Sequence, residues 1–148
     1  MPLESDAEIA QVLRETRTIA LIGASDNPAR TSFRIMEYLQ GQGYRVIPVN
    51  PRLEGETING EMAFARVGDI PFRVDMADFF INAARVGPLV DEAIDAGVKT
   101  VWMQLGVIDD DAADRAEQAG LNVVMDRCPK IEIPRLGVGP IGALRPAD

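Results

Sequence analysis

From Thr18 onward, short runs of consecutive apolar residues alternate with longer stretches whose apolar positions recur every three or four residues. The short runs are Ile19–Ile22, Val46–Val49, the core of Asp75–Asn82, Thr100–Gln104 and Asn122–Met125. A run of that length closed by Gly, Pro or Asn reads as a strand buried on both faces. Between the first two runs, a helical pattern starts at about Thr31 or Ser32, carries Phe33, Met36 and Leu39, and stops at Gly41 and Gly43. Gly87-Pro88 is the apparent start of the next helix, with Leu89, Val90, Ala93 and Ile94 apolar and Gly97 at its end. Asp109 is placed to cap an alanine-rich helix from Ala112 to Ala119, which Gly120 ends. Before all of these, Leu3–Glu15 carries Ile9, Val12 and Leu13 on one face, with Ser5 or Asp6 as cap, and reads as an amphipathic helix packed on the sheet edge.

Two stretches lack a clear period. Pro51–Pro71 reads as an irregular crossover, with a turn at Asn59-Gly60 and a short helix or strand end at Met62–Phe64. Asp126–Asp148 is rich in Pro and Gly and reads as a segment that wraps over the sheet or reaches a partner subunit. Strands alternating with helices predict an α/β protein: a doubly wound parallel sheet of about five strands with helices on both faces. The expected organisation is a single domain over residues 1–148, with an N-terminal helix at 1–16 and a wrapping tail at 129–148.

In such a sheet, ligands bind outside the carboxyl ends of the strands, where the strand order reverses. The segments expected there are Gly23–Arg30, Asn50–Arg52, Asn82–Arg85 and Gln104–Val107. The first follows a strand and precedes a helix, so Gly23 permits a sharp turn and the helix start offers unpaired N–H groups and partial positive charge. Ser25, Thr31 and Ser32 add hydroxyl donors, and Arg30 and Arg34 add fork-shaped cations, which together read as a phosphate cradle. A G-x-G-x-x-G fingerprint from Gly23 would need glycines where Ser25 and Pro28 stand. The second strand ends in Asn50 where a nicotinamide dinucleotide site usually has an acid for the ribose, and no G-x-x-x-x-G-K-[ST] loop is present.

Composition narrows the chemistry further. A chain of 148 residues suits one domain with a sizeable core. A net charge of −8 argues against general attraction to nucleic acid or to an anionic membrane. No run approaches the length of a membrane span and residues 1–16 show no signal-peptide pattern, so a cytoplasmic location is the expectation. The absence of histidine removes Ser-His-Asp and Cys-His catalysis, phosphohistidine relays and the commonest zinc ligand. No catalytic pair and no metal site emerges; Asp109-Asp110-Asp111 reads as a helix cap and first turn. Cys128, the single cysteine, sits beside Arg127 after a strand and admits two readings: a thiol that meets a ligand's thiol, or a small buried hydrophobe.

Several segments carry a family resemblance in order along the chain: IALIGASDNPARTSF, GYRVIPVNP, VGDIP followed by VD, EAIDAGVKTVWMQLGV, AEQAGLNVVMDRC and the RL at Arg135-Leu136. From about Thr18 to Leu136 the chain resembles the stand-alone CoA-binding proteins, Rossmann-like domains related to the CoA-binding domain of the succinyl-CoA synthetase alpha subunit. The resemblance implies coenzyme A as cofactor, with Gly23, Ala24 and Ser25 close to the pyrophosphate and Arg30 and Ser32 on phosphate groups; Asn27 of the same loop joins the candidate set. It further implies Val49, Asn50 and Pro51 at the adenosine end, and Asn82, Ala83 and Ala84 along the cofactor's middle. Gln104 and Gly106, after the fourth apolar run, complete the candidate set. Coenzyme A has a ribose 3′-phosphate, which suits arginines and a neutral Asn50. The chain lacks the phosphorylated histidine of a succinyl-CoA synthetase, so the resemblance implies binding rather than catalysis. A homodimer and a separate ligase partner chain are the partner expectations, and an NAD- or adenine-nucleotide-binding redox module is the alternative.

Overall fold

A computed structural model describes residues 1–141. Five strands form one parallel sheet: β1 (Thr18–Ile22), β2 (Arg45–Val49), β5 (Met76–Phe79), β6 (Thr100–Met103) and β7 (Asn122–Val124). Between β2 and β5 lies a two-residue-per-strand antiparallel hairpin of β3 (Thr57–Ile58) and β4 (Glu61–Met62). The helices are α1 (Asp6–Glu15), α2 (Thr31–Gly41), α3 (Ala83–Asp95), α4 (Asp110–Gln118) and α5 (Pro129–Arg135). The strand order is β2-β1-β5-β6-β7, so the chain winds one way from β1 to β2 and the other way from β5 to β7. The order reverses between β1 and β5, and Ile22 is in register with Val49 on one side and Phe79 on the other.

The apolar runs are buried on both faces because successive side chains in a strand point oppositely. Ile19 and Leu21 join Val46, Met76, Trp102 and Val124 in a core with α1, α2 and α5. Ala20 and Ile22 join Ile47, Val49, Ala77, Phe79, Val101 and Met103 in a second core with α3 and α4. Trp102 is fully buried and donates its indole N–H to the carbonyl of Arg127 at 2.8 Å. The two-faced, doubly wound α/β architecture is the one the periodicity predicts.

Local differences have local causes. The third apolar run forms a strand over Met76–Phe79 only, because Asp75 uses its carboxylate to accept from the backbone of Arg17 and Thr18. Its helix starts at Ala83, not at Gly87-Pro88: Asn82 accepts from the Ala84 N–H at 2.9 Å, a strong side-chain cap, and Pro88 lies inside the helix. Of the two readings for Met62–Phe64 the strand end is the one found: Asn59 (φ 49°) and Gly60 (φ 83°) make the two-residue turn that folds Glu61-Met62 back onto Thr57-Ile58. Phe64 then bridges Val49 beyond Pro48, a residue tolerated because β2 is an edge strand.

The segment expected to wrap from 129 begins as α5, with Pro129 in its first turn. Its Glu132 is 4% exposed and receives both Arg127 (2.9 Å) and Arg135 (2.8 Å), while Arg135 reaches Asp6 of α1 at 3.0 Å. Those arginines hold the Glu132 carboxyl below its ordinary range, with the Arg135 hydrogen bond the largest cause. Residues 142–148 of the expected tail lie outside the described residues. Among the described residues no helix is long and apolar enough to cross a membrane.

Candidate ligand-binding cleft

A cleft of about 1170 Å³ opens at the carboxyl ends of β1, β2 and β5, where the strand order reverses. Its floor is the turn after β1. Gly23 has φ +87°, and a Cβ built on it would stand 2.1 Å from the carbonyl oxygen of Phe80 after β5. Glycine is therefore required twice, by backbone conformation and by the neighbouring chain. The N–H groups of Gly23 and Ala24 both donate to the Val49 carbonyl, at 2.9 and 3.3 Å, so the turn is pinned to the end of β2.

The loop beyond is shaped by its own side chains. Ser25 Oγ accepts from the Asn27 N–H and Asn27 Oδ1 accepts from the Ala29 N–H, each at 3.0 Å. These short turns deliver the chain to Arg30, which precedes α2 and offers no side-chain cap to it. The first N–H groups of α2, at Thr31 and Ser32, thus meet the cleft without an acceptor from a capping side chain. Asn50 ties the second loop to the first: its Nδ2 donates to the Ala24 carbonyl and its Oδ1 accepts from the Arg52 N–H, each at 2.9 Å.

Four arginines from four segments line the cleft: Arg30, Arg52, Arg66 and Arg85. Among the described residues none of them is in an ion pair, whereas Arg45, Arg73, Arg115, Arg127 and Arg135 all are. Among the described residues, Asp26 and Glu92 are the only carboxylates in the lining. In a chain of net charge −8, this is a local concentration of free guanidinium groups.

Of the fourteen residues singled out in the sequence, nine line this cleft: Gly23, Ala24, Ser25, Asn27, Arg30, Ser32, Val49, Asn50 and Pro51. Gln104 lines a smaller adjoining hollow. Asn82, Ala83 and Ala84 line neither; Asn82 caps α3 and the other two form its first turn. Gly106 also lies outside both, with φ +79° and its N–H donating to Asp126 Oδ1 at 2.8 Å. Arg34 is exposed on α2 and absent from the lining.

Arg66, Phe80, Ile81, Leu89 and Glu92 belong to the lining and were not in the sequence-derived set. Arg85, Leu89 and Glu92 are spaced i, i+4, i+7, one helical face, a signal visible only once the helix is started at Ala83. Arg66 is delivered by the hairpin and the bridge of Phe64 to Val49, for which the sequence carries no periodic signal.

Cys128 is half-buried between β7 and α5 and lines the smaller hollow. Burial, the largest cause, raises its thiol pKa against the opposing hydrogen bonds of the Lys130 and Ile131 amides. Among the described residues no group of His, Cys, Asp or Glu could hold a metal ion.

A family model of the CoA binding domain matches residues 17–134. Over 127 residues the chain is 31% identical to the uncharacterized protein YneT of Bacillus subtilis (strain 168), covering 86% of this chain and 93% of that one. Over 95 residues it is 34% identical to the alpha subunit of acetate–CoA ligase [ADP-forming] I of Pyrococcus furiosus, covering 62% of this chain but 21% of that subunit. Among solved structures, a hypothetical protein from Pyrococcus horikoshii OT3 superposes with a TM-score of 0.85 at 36% identity, covering 92% of this chain and 96% of that one.

Proposed function

The chain belongs to the CoA binding domain family, and from that premise we propose that its cleft binds coenzyme A or an acyl-CoA, without chemistry of its own. The observation that carries this reading is the set of four arginines, unpaired among the described residues, around the Gly23 turn and the uncapped start of α2. One pyrophosphate could be held by a helix start and a single cation. Four guanidinium groups call for a ligand with more than one anionic group, and coenzyme A carries a ribose 3′-phosphate besides its pyrophosphate. In this reading the Gly23–Asn27 turn and Arg30 face the pyrophosphate. Val49, Asn50, Pro51 and the arginines Arg52 and Arg66 serve the adenosine end. Asn50 is neutral and its amide is already engaged on both sides, so it offers no acid for an unphosphorylated ribose, which disfavours NAD.

A thermal-shift titration with coenzyme A, dephospho-coenzyme A, NAD and ATP tests the reading. A ligand at about 100 times its Kd stabilises the fold by ~2.7 kcal/mol. Stabilisation by coenzyme A that weakens without the 3′-phosphate is the expected result; equal shifts with NAD, or none with coenzyme A, would overturn it.

The likeness to the ligase alpha subunit favours a second reading, in which the domain serves a CoA ligase together with another chain. Co-purification of a nucleotide-binding ligase subunit with the tagged chain is the test of that arrangement. A homodimer and a cytoplasmic location accompany the first reading as proposals, to be checked by sedimentation equilibrium and cell fractionation.

A further inference from the structure

The smaller hollow, of about 320 Å³, adjoins the arginine-lined cleft and shares Thr31, Phe80 and Ile81 with it. Its remaining walls are Gln104, Leu105, Val107 and Cys128. The two cavities differ in kind: among the described residues, four arginines and two carboxylates line the first, and no charged side chain lines the second. The Gln104 amide is fixed by donating to Asp78 Oδ1 at 2.8 Å, and Asp78 is fully buried. Leu105 stands at the hollow 57% exposed, an apolar side chain of the kind a ligand can cover.

A phosphate-bearing ligand seated on the arginines has its anionic end accounted for, and the hollow lies across Phe80 and Ile81 from it. We propose that this hollow seats the acyl group of a short, uncharged acyl thioester, an inference that rests on the coenzyme A reading of the cleft. The walls reward burial of apolar carbon. They offer no cation to an acyl group that ends in its own carboxylate, and a carboxylate taken out of water without a partner is strongly disfavoured.

The test is calorimetric titration of the full chain with coenzyme A, butyryl-CoA and succinyl-CoA. Butyryl-CoA is expected to bind about tenfold tighter than coenzyme A, the return for burying between one and two methylene groups. Succinyl-CoA is expected to bind no tighter than coenzyme A. Leu105→Asp should bring the ratio of butyryl-CoA to coenzyme A affinity to about one, and Leu105→Arg should turn the preference toward succinyl-CoA; because Leu105 is exposed, both variants should fold. Measurable coenzyme A affinity with equal affinity for all three would overturn the acyl seat and leave the cleft reading standing. No affinity for any of the three would remove both.

Discussion

Asn50 Nδ2 donates to the carbonyl oxygen of Ala24 at 2.9 Å, joining the loop after β2 to the turn after β1. The same side chain accepts from the Arg52 N–H at 2.9 Å, so one amide orders both walls of the cleft. The amide can do this because it carries both a donor and an acceptor, which a carboxylate does not. The neutral residue at the end of the second strand is therefore a structural tie as well as the absence of a ribose-binding acid.

Asn50→Asp keeps the acceptor for Arg52 and loses the donor for Ala24, turning a carboxylate oxygen toward a carbonyl. Stability should fall by ~1–2 kcal/mol, the cost of an unmet partly buried hydrogen bond. Coenzyme A affinity should fall with it, because the added negative charge faces a phosphate-bearing ligand. Urea unfolding and calorimetric titration at pH 7 measure the two effects, and unchanged affinity would show that the tie does not shape the site.

Gly23→Ala meets both constraints at once. A left-handed backbone costs a non-glycine residue ~1–2 kcal/mol. The Cβ, 2.1 Å from Phe80 O, must also push β1 and β5 apart at the point where the sheet order reverses. The expected outcome is a loss of more than ~2 kcal/mol with binding abolished. The control is Gly55→Ala, where φ is +83° but nothing lies within 4 Å. It should show the backbone cost alone, so the difference between the two melts reports the close approach.

How much of this was legible in the chain depends on the range of the interactions involved. The span from Thr18 to Asn50 folds on itself as strand, loop, helix and strand, so the Gly23 turn, the α2 start and the Asn50 loop could be read from spacing and turn residues. Trp102 was legible as core because a strand buried on both faces has no other place for it. Arg66 was not, since its position depends on a parallel bridge between Phe64 and Val49, which leaves no pattern in sequence. Helix α3 was misplaced at its start because Gly87-Pro88 resembles a helix entry, while Asn82, the actual cap, also fits a strand end. The Asp78–Gln104 pair is a purely tertiary contact between β5 and the residue after its neighbour β6, with nothing local to announce it.

If four arginines hold the anionic groups, they should contribute unequally and only when they line the cleft. Arg66→Ala and Arg30→Ala are each expected to weaken coenzyme A binding about tenfold, the worth of one charge-assisted hydrogen bond. Arg34→Ala, one turn along α2 and outside the lining, should leave affinity within about twofold, as exposed charges act weakly in salt. Titrations at two salt concentrations make the comparison. Equal losses at Arg34 and Arg66 would mean general electrostatic attraction rather than a built site.

Asp78 sets a pH dependence that binding does not require. Its side chain is fully buried, Oδ1 accepts from Gln104 and Oδ2 has no partner among the described residues, and burial raises its pKa to about 7, only partly opposed by the Gln104 hydrogen bond. In the unfolded chain an aspartic acid titrates near ~3.9. Below that value the carboxyl is neutral in both states and folding carries no ionisation penalty. As pH rises from there, the unfolded chain releases the proton while the native state keeps it, so stability declines up to about pH 7 and then levels off. Asp78→Asn keeps an acceptor for Gln104 and cannot ionise. Its melting temperature should therefore gain on that of the original chain from pH 5 up to about pH 7 and hold that lead to pH 8, with the two closest at the acidic end. Parallel melting curves across that range would show that Asp78 is ionised in the native state throughout.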